Sequence, residues 1–196
     1  KGCGGDSLLI DDPQEPSSYL RTGRALAERR RFISFRVGDS RESNCISAML
    51  FDQADNLWLS TDDGVYRAAT STAGRLQFNL TARTGPTDFA GVGLADRRGR
   101  IWFGVINELI QIDRNQIIRY GLEDGVGRRP IRSVVEDRQG RVLVANEREV
   151  FEFVEPPDGN VDGDARGSWR RLQLSFRPDQ LIRAMLSDSS GALWIG

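Results

Sequence analysis

The chain has 196 residues, with 27 basic and 28 acidic side chains and a formal charge of −1. This balance gives no overall attraction for nucleic acid or for an anionic membrane, so both partners are disfavoured. No segment has the eighteen or so apolar residues that a membrane-spanning helix needs, and no apolar signal segment is present. The length allows one or two domains with a core of ordinary size.

The first 30 residues are expected to lie outside the repeat that follows them. Residues 1–18 are rich in Gly, Asp, Pro and Ser, a composition typical of a tail or linker. A short helix is predicted from Ser18, a good N-cap residue, towards an arginine-rich end at residues 29–31, where cations are favoured. We therefore interpret residues 1–30 as an N-terminal tail or short helix.

The two cysteines leave the cellular compartment open. Cys3 lies near the start of the chain and Cys45 opens the repeat, and two cysteines cannot form a framework of disulfide bonds. A bond between them is compatible with the sequence but not required by it. Cys3 after Gly2 faintly resembles the lipid-modified cysteine of a bacterial lipoprotein, although a plain terminal cysteine is the favoured interpretation.

One sequence pattern occurs in four copies from residue 31 onward. In each copy an aspartate lies six positions before a large apolar residue, and successive aspartates are 44, 41 and 51 residues apart. The four pairs are Asp52 and Trp58, Asp96 and Trp102, Asp137 and Leu143, and Asp188 and Trp194. A repeat of this length indicates a propeller or a solenoid.

Each unit contains four short apolar runs. In the first unit they lie near residues 46–51, 57–61, 64–69 and 75–82, which is strand length and too short for helices. The first run of each unit is expected to be buried on both faces near a central axis, and the Trp of the second run to fill the gap between stacked sheets.

The turn between the first two runs has the residues that a tight reversal demands. Gly99, Gly140 and Gly191 stand in three copies and Asp55 in the first, and both residue types tolerate a left-handed backbone. The leading aspartate is expected to accept hydrogen bonds from the N–H groups of its own turn. Four evenly spaced copies argue that this acid is structural, because no active site needs four.

These features predict an all-β fold, a β-propeller of four-stranded antiparallel blades that is incomplete in this chain. The units lie near residues 31–82, 83–121, 122–176 and 177–196, which gives about three blades and the start of a fourth. Within the first span, a strand near residues 32–37 precedes the four runs that begin at residue 46, and it could close a ring. The last unit stops within its second strand, so further blades are expected after Gly196.

The motifs DQADNLWLSTDDGVYR, DRRGRIWFG, DSSGALWIG and, in part, DRQGRVLVA resemble the two-component regulator propeller repeat. The resemblance covers about residues 32–196. It departs from the family pattern at Asp55, at Val105 and at Leu143, where Gly, Thr and Trp are usual. It implies a non-catalytic, extracytoplasmic or periplasmic ligand-sensing domain of a bacterial signalling protein, of the two-component or diguanylate cyclase type. The implied partners are the rest of that protein and a small molecule, with a carbohydrate as one candidate, and a homodimer is left open.

Two alternative functions remain. One is a propeller that serves only as a protein-interaction scaffold. The other is an enzyme similar to the streptogramin lyases. This resemblance implies general acid–base catalysis that depends on histidine. This chain has no histidine, so the catalytic residues of such an enzyme would lie outside it. The Asp-box of sialidase-like propellers fits less well, because it places Gly and Trp two and five residues after Asp instead of three and six.

The residues carry little catalytic or metal-binding chemistry. Without histidine there is no His-based triad or imidazole ligand, and two distant cysteines make no zinc site. We therefore assign no catalytic, cofactor-binding or metal residues and expect no cofactor. The one metal candidate is the segment 158–164, where Asp and Asn alternate as in a calcium loop. Arg166 and Trp169 occupy later ligand positions, so a polar hairpin insertion is favoured.

Ligands of propellers usually bind where the loops between blades converge. Those loops are predicted near residues 39–44, 83–89, 122–130 and 177–180. Within them, Arg83, Arg128 and Arg129 would suit an acidic sugar or another anion, although exposed arginines are more often only solvated.

Overall fold

The computed structural model describes residues 8–11, 32–70, 76–85, 91–114, 116–156, 166–174 and 180–196. These residues form sixteen β-strands and two short 3-10 turns, at Glu42–Asn44 and Val126–Arg128, and contain no α-helix. The all-β prediction is confirmed.

Three four-stranded sheets follow one another along the chain, and each consists of sequential antiparallel strands. Blade 1 contains β3 (Ile46–Phe51), β4 (Leu57–Thr61), β5 (Gly64–Thr70) and β6 (Leu76–Arg83). Blade 2 contains β7 (Val92–Ala95), β8 (Ile101–Gly104), β9 (Leu109–Asp113) and β10 (Gln116–Tyr120). Blade 3 contains β11 (Ile131–Glu136), β12 (Val142–Asn146), β13 (Val150–Val154) and β14 (Ser168–Arg171). The strands of blade 1 lie within one residue of their predicted positions.

Two smaller sheets accompany these blades. Blade 4 is represented by an antiparallel pair, β15 (Met185–Ser187) and β16 (Leu193–Ile195). At the other end of the chain, β1 (Leu8–Asp11) pairs with β2 (Phe32–Phe35). The segment expected to be a tail or short helix therefore contains a strand at Leu8–Asp11, and the helix predicted from Ser18 lies outside the described residues.

The predicted turn chemistry is confirmed in every copy. Asp55, Gly99, Gly140 and Gly191 have φ values of 59°, 82°, 79° and 92°, in the left-handed region. One oxygen of each leading aspartate, Oδ1, accepts a hydrogen bond from the backbone N–H four residues later, at 2.9 Å in all four turns. The carboxylate thus closes the reversal that sends the chain from the first strand of a blade into the second.

The burial of the first strands differs from the expectation. We expected these strands to be buried on both faces, but every residue of β7 is only half-buried, and β3 has exposed residues at Met49 and Phe51. The reason is that each first strand is the edge strand of its sheet, next to the first strand of the neighbouring blade. The second strands β4, β8 and β12 are instead buried along their whole length.

The core lies between the blades, because alternate residues of a strand point to opposite faces of its sheet. One cluster, with Trp58 and Phe103, joins blades 1 and 2. A second cluster, with Trp102 and Phe153, joins blades 2 and 3. A third, with Leu143 and Met185, joins blade 3 to the β15–β16 pair. Packing each blade between two others is the arrangement of a β-propeller.

The three tryptophans of the repeat differ in burial. Trp58 is 6% exposed and Trp102 is fully buried, as expected of residues that fill the space between sheets. Trp194 is 63% exposed, because no further sheet packs against the β15–β16 pair within the described residues.

Of the two cysteines, Cys45 is among the residues that the structure describes. Cys45 is buried and disulfide-bonded. Cys3, the other cysteine of the chain, lies outside the described residues.

Candidate functional site

The strand order places all connections between blades at one end of the sheets. In a four-stranded antiparallel meander, the start of the first strand, the turn between the second and third strands and the end of the fourth strand share one end. We call it the crossover end. In blade 3 it carries the loop of residues 121–130, the turn of residues 147–149 and the end of β14.

The loop of residues 121–130 is held down by buried small residues. Val126 is fully buried, and the N–H of Gly127 donates to the carbonyl of Gly121 at 3.1 Å. Asp124 accepts hydrogen bonds from the N–H of Gly121 at 2.7 Å and from the Arg166 guanidinium at 2.5 Å. The anchored loop leaves the next two side chains, Arg128 and Arg129, exposed at the crossover end.

The turn between β12 and β13 is shaped by a buried asparagine. Asn146 is fully buried, and its Oδ1 accepts hydrogen bonds from the N–H groups of Arg148 at 2.9 Å and Glu149 at 2.8 Å. An asparagine side chain that bonds the backbone two and three residues on defines a tight turn. The turn therefore presents Arg148 and Glu149 next to the loop of residues 121–130.

These segments enclose a pocket of about 360 Å³, which we call the arginine pocket. Its lining residues are Arg128, Arg129, Arg148, Glu149 and Arg171. Arg171 and Glu149 form an ion pair at 2.9 Å. With four arginines and one glutamate, the lining has an excess of three positive charges. Among the described residues, Arg128 and Arg129 make no salt bridge.

A further ion pair lies beside the pocket. Arg132 and Glu147 form a salt bridge. The hydrogen bond from Arg132, together with attraction to Arg132, Arg183 and Arg129, lowers the pKa of Glu147 despite the opposing effect of burial. Glu147 is therefore ionised at neutral pH, and the arginines around it remain in excess.

The chemistry of this pocket suits the binding of an anion. A guanidinium presents N–H donors in a planar fork that matches a carboxylate, sulfate or phosphate group. The pocket contains one carboxylate, which is already paired with Arg171, and the chain has no histidine to act as a base near neutral pH. Within the described residues, no three metal-ligating side chains come together.

The structure brings together two of the three arginines named from the sequence. Arg128 and Arg129 line the arginine pocket, whereas Arg83, at the end of β6, does not. Sequence reasoning missed Arg148, Glu149 and Arg171. The available signal was their position, because a turn between second and third strands lies at the same end as the loops between blades.

Other candidate segments lie wholly or partly outside the described residues. The proposed calcium loop at residues 158–164 is among them, so it stays a prediction that the structure leaves untested. Of the predicted loops near 83–89 and 177–180, only residues 83–85 and 180 are described.

The fold and the site define a propeller segment with an arginine-lined pocket, and solved structures share this fold. The extracellular domain of a proposed hybrid two-component system from B. thetaiotaomicron has a TM-score of 0.62 and 17% sequence identity, over 85% of this chain and 22% of that chain. A second such domain from the same organism has a TM-score of 0.57 and 17% identity, over 83% of this chain and 22% of that chain. Virginiamycin B lyase from Staphylococcus aureus has a TM-score of 0.62 and 11% identity, over 85% of this chain and 53% of that chain.

At these identities the likeness shows the fold alone. The chain spans about a fifth of the length of the two extracellular domains and about half of the lyase. Neither a protein-family model nor a curated protein matches the sequence. Across the residues that the structure describes, there is no helix with the length and apolarity needed to span a bilayer.

Proposed function

We propose that this chain is part of a non-catalytic, ligand-sensing β-propeller domain, located outside the cytoplasm, in a bacterial signal-transduction protein. The ligand that fits the arginine pocket is a small anion, and an acidic sugar is the preferred candidate. The observation that carries this proposal is the grouping of four arginines from three separate segments around one pocket that holds a single glutamate.

The charges of the pocket explain why an anion would be selected over a neutral sugar. Arg128 and Arg129 form no salt bridge with a carboxylate of the described residues. A ligand carboxylate would therefore not have to displace a carboxylate that is already bound to them. A charge-assisted pair between a guanidinium and a carboxylate is also stronger than a neutral hydrogen bond. The volume of about 360 Å³ is at the small end of ligand pockets and suits one or two sugar rings.

The similarity to extracellular domains of two-component systems supports the sensing role, in which the rest of the protein would receive the signal. Virginiamycin B lyase has the same fold, and its variant with a histidine replaced by alanine is catalytically inactive. The present chain contains no histidine, so a reaction of that kind would need residues outside it.

Titration calorimetry with D-glucuronate tests the proposal, and D-glucose, the neutral sugar of the same shape, is the matched ligand control. We expect heat of binding with glucuronate alone, and weaker binding as salt is added, because exposed charge pairs are screened. Replacing Arg128 and Arg129 together by Gln should weaken glucuronate binding about tenfold or more. The matched control replaces two exposed arginines elsewhere, Arg36 and Arg138, and should leave it unchanged. Equal binding of glucose and glucuronate, or equal loss in both double variants, would contradict the proposal.

A further inference from the structure

The interfaces between successive blades are built from equivalent positions, and the strand registers identify them. Trp58 pairs with Arg67 across β4 and β5, as Trp102 pairs with Gln111 across β8 and β9. On the facing blades, Ile112 pairs with Ile117 across β9 and β10, as Phe153 pairs with Trp169 across β13 and β14. The two interfaces can therefore be compared residue by residue.

The interface between blades 2 and 3 is filled by four aromatic rings. Blade 2 supplies Trp102 and Tyr120, and blade 3 supplies Phe153 and Trp169. The ring centroids lie 5.0 to 6.4 Å apart, most of them edge to face. Arg100 covers this cluster, with its guanidinium carbon 5.1 Å from the ring centroids of both Trp102 and Phe153.

The interface between blades 1 and 2 keeps only one of these rings. Trp58 occupies the place of Trp102, but Ala82 stands for Tyr120. Ala82 pairs with Val65 and Tyr120 with Leu109, and each of these partners lies two residues before the residue that pairs with the tryptophan. Ile112 and Ile117 stand for Phe153 and Trp169. Three of the four rings between blades 2 and 3 thus have no aromatic counterpart between blades 1 and 2.

The missing rings leave a pocket of about 540 Å³ between blades 1 and 2, which we call the inter-blade pocket. Its apolar lining consists of Trp58, Ala68, Ala69, Ile112 and Ile117, and its polar lining of Asn56, Arg67, Asn79, Thr81 and Arg114. Its volume lies within the range of small-molecule sites. The lining includes two guanidiniums and no carboxylate, so the pocket favours a negative charge.

The two arginines are placed for such a ligand. Arg67 lies over the ring of Trp58, with its guanidinium carbon 5.5 Å from the ring centroid, in the way that Arg100 covers the next cluster. Arg114 lies in the turn between β9 and β10 with a φ of 54°, a left-handed conformation that a long L side chain rarely adopts. Neither forms a salt bridge with any residue that the structure describes.

We propose that the inter-blade pocket binds a small planar aromatic carboxylate, whose ring takes the place that the side chains of Phe153 and Trp169 take between blades 2 and 3. The ring packs against Ile112, Ile117 and the edge of Trp58. The carboxylate receives hydrogen bonds from Arg67 and Arg114 at the open side. This site is separate from the arginine pocket, and the inference does not depend on the proposed function.

The test uses the whole chain and benzoate as the probe, with benzamide as the neutral compound of the same shape. Titration calorimetry should detect benzoate and not benzamide. Ile117→Trp installs the residue that fills the equivalent position of the next interface, and we expect it to weaken benzoate binding at least about tenfold while the melting temperature holds or rises. Leu122→Trp adds the same side chain at an exposed loop position and should bind benzoate like the unmodified chain.

A second variant keeps the test decisive if Ile117→Trp fails to fold. Arg114→Gln changes an exposed side chain in a turn, and it should weaken benzoate binding about fivefold or more. Replacing Arg128 and Arg129 by Gln should leave benzoate binding unchanged, which separates the two pockets. The inference is overturned if benzoate does not bind, if benzamide binds equally well, if both Trp variants behave alike, or if benzoate binding disappears with Arg128 and Arg129.

Discussion

The indole N–H of Trp102 donates a hydrogen bond to Oδ2 of Asp96 at 2.9 Å, and the same bond joins each tryptophan of the repeat to the aspartate six residues before it. The distance is 2.9 Å from Trp58 to Asp52 and 2.7 Å from Trp194 to Asp188. Since Oδ1 of the same carboxylate closes the turn, each aspartate links the turn of a blade to the residue that packs against the next blade.

This bond does not depend on burial. It forms at the exposed Trp194 as well as at the buried Trp102. In the third copy, where Leu143 replaces tryptophan, the Nε of Arg141 donates to Oδ2 of Asp137 at 2.6 Å, as the Nε of Arg100 does to Oδ2 of Asp96 in the second copy beside Trp102. Oδ2 of the aspartate is thus paired in every copy, and the set of donors differs: tryptophan in the first and fourth, tryptophan and arginine in the second, and arginine in the third.

The cost of removing a tryptophan should follow its burial. Trp102→Ala should lower the free energy of unfolding by about 3 to 5 kcal/mol, because it opens a cavity among Tyr120, Phe153 and Trp169. Trp58→Ala should cost a similar amount or somewhat less, because Trp58 already borders the inter-blade pocket. Urea unfolding followed by circular dichroism measures both.

The matched control is Trp194→Ala, which removes the same side chain and the same hydrogen bond where 63% of the residue is exposed. It should cost less than about 1 kcal/mol in this chain. Similar losses for Trp102→Ala and Trp194→Ala would show that packing between blades is not what stabilises the buried copy.

Restoring tryptophan in the third copy should destabilise the protein. Leu143 is 2% exposed and packs against Ile182 and Met185, so the space around it is already filled. Leu143→Trp should therefore lower the free energy of unfolding by about 1 to 3 kcal/mol through overpacking. Leu143→Met, which conserves volume, should cost less than about 1.5 kcal/mol. A rise in the urea midpoint for Leu143→Trp would mean that the space between blade 3 and the β15–β16 pair is larger than the structure shows.

Local features of this fold could be predicted from the sequence, and relationships between distant strands could not. The strands of blade 1 and the left-handed turn at Asp55 depend on residues within a few positions of one another. Comparing the four copies of the repeat was enough to predict them. The hydrogen bond from Trp58 to Asp52 was missed, although both residues were identified. Its presence depends on the indole turning back over the hairpin, and the spacing of six residues alone does not reveal that.

The two pockets were harder to predict for a different reason. Arg128 and Arg171 are 43 positions apart in the sequence. They share a pocket because the start of the first strand and the end of the last strand of a blade both lie at the crossover end. The inter-blade pocket results from the absence of aromatic side chains at two positions. Ile112 and Ile117 look like ordinary core residues until they are compared with Phe153 and Trp169, which occupy the equivalent positions of blade 3. The incomplete burial of the first strands was also missed, because an aliphatic run looks the same whether its strand is fully or only half-buried.

The exposed copy of the aspartate–tryptophan bond should be visible as a pH-dependent signal. Hydrogen bonds from the Ser190 hydroxyl, the Trp194 indole and the Ala192 N–H lower the pKa of Asp188 to about 2. The usual pKa of an aspartate is about 3.9. Because the folded-state pKa is the lower one, the stabilisation by this carboxylate is complete above about pH 4 and is lost as the pH falls through about 2.

The indole N–H resonance of Trp194 in a ¹H–¹⁵N spectrum reports this titration directly. It should hold its position down to about pH 3 and shift with a midpoint near 2 while the chain stays folded. In Asp188→Asn the resonance should start at a different position and show no titration. A midpoint near the usual 3.9 would mean that the three hydrogen bonds do not form together in solution.

The anchoring of the loop of residues 121–130 should be sensitive to a single methyl group. A Cβ at Gly127 would lie 2.2 Å from the carbonyl oxygen of Asn107 and 2.6 Å from the carbonyl carbon of Gly121, both of them backbone atoms. Gly127→Ala must therefore shift the backbone, and it should lower the free energy of unfolding by about 2 to 3 kcal/mol. Because Arg128 and Arg129 follow directly, it should also weaken glucuronate binding. Gly91→Ala is the matched control, since its Cβ would meet no atom of the described residues within 4 Å, and it should leave both properties unchanged. If Gly127→Ala melted like the control and kept its ligand affinity, the close contact with Asn107 would not be what positions the arginine pocket.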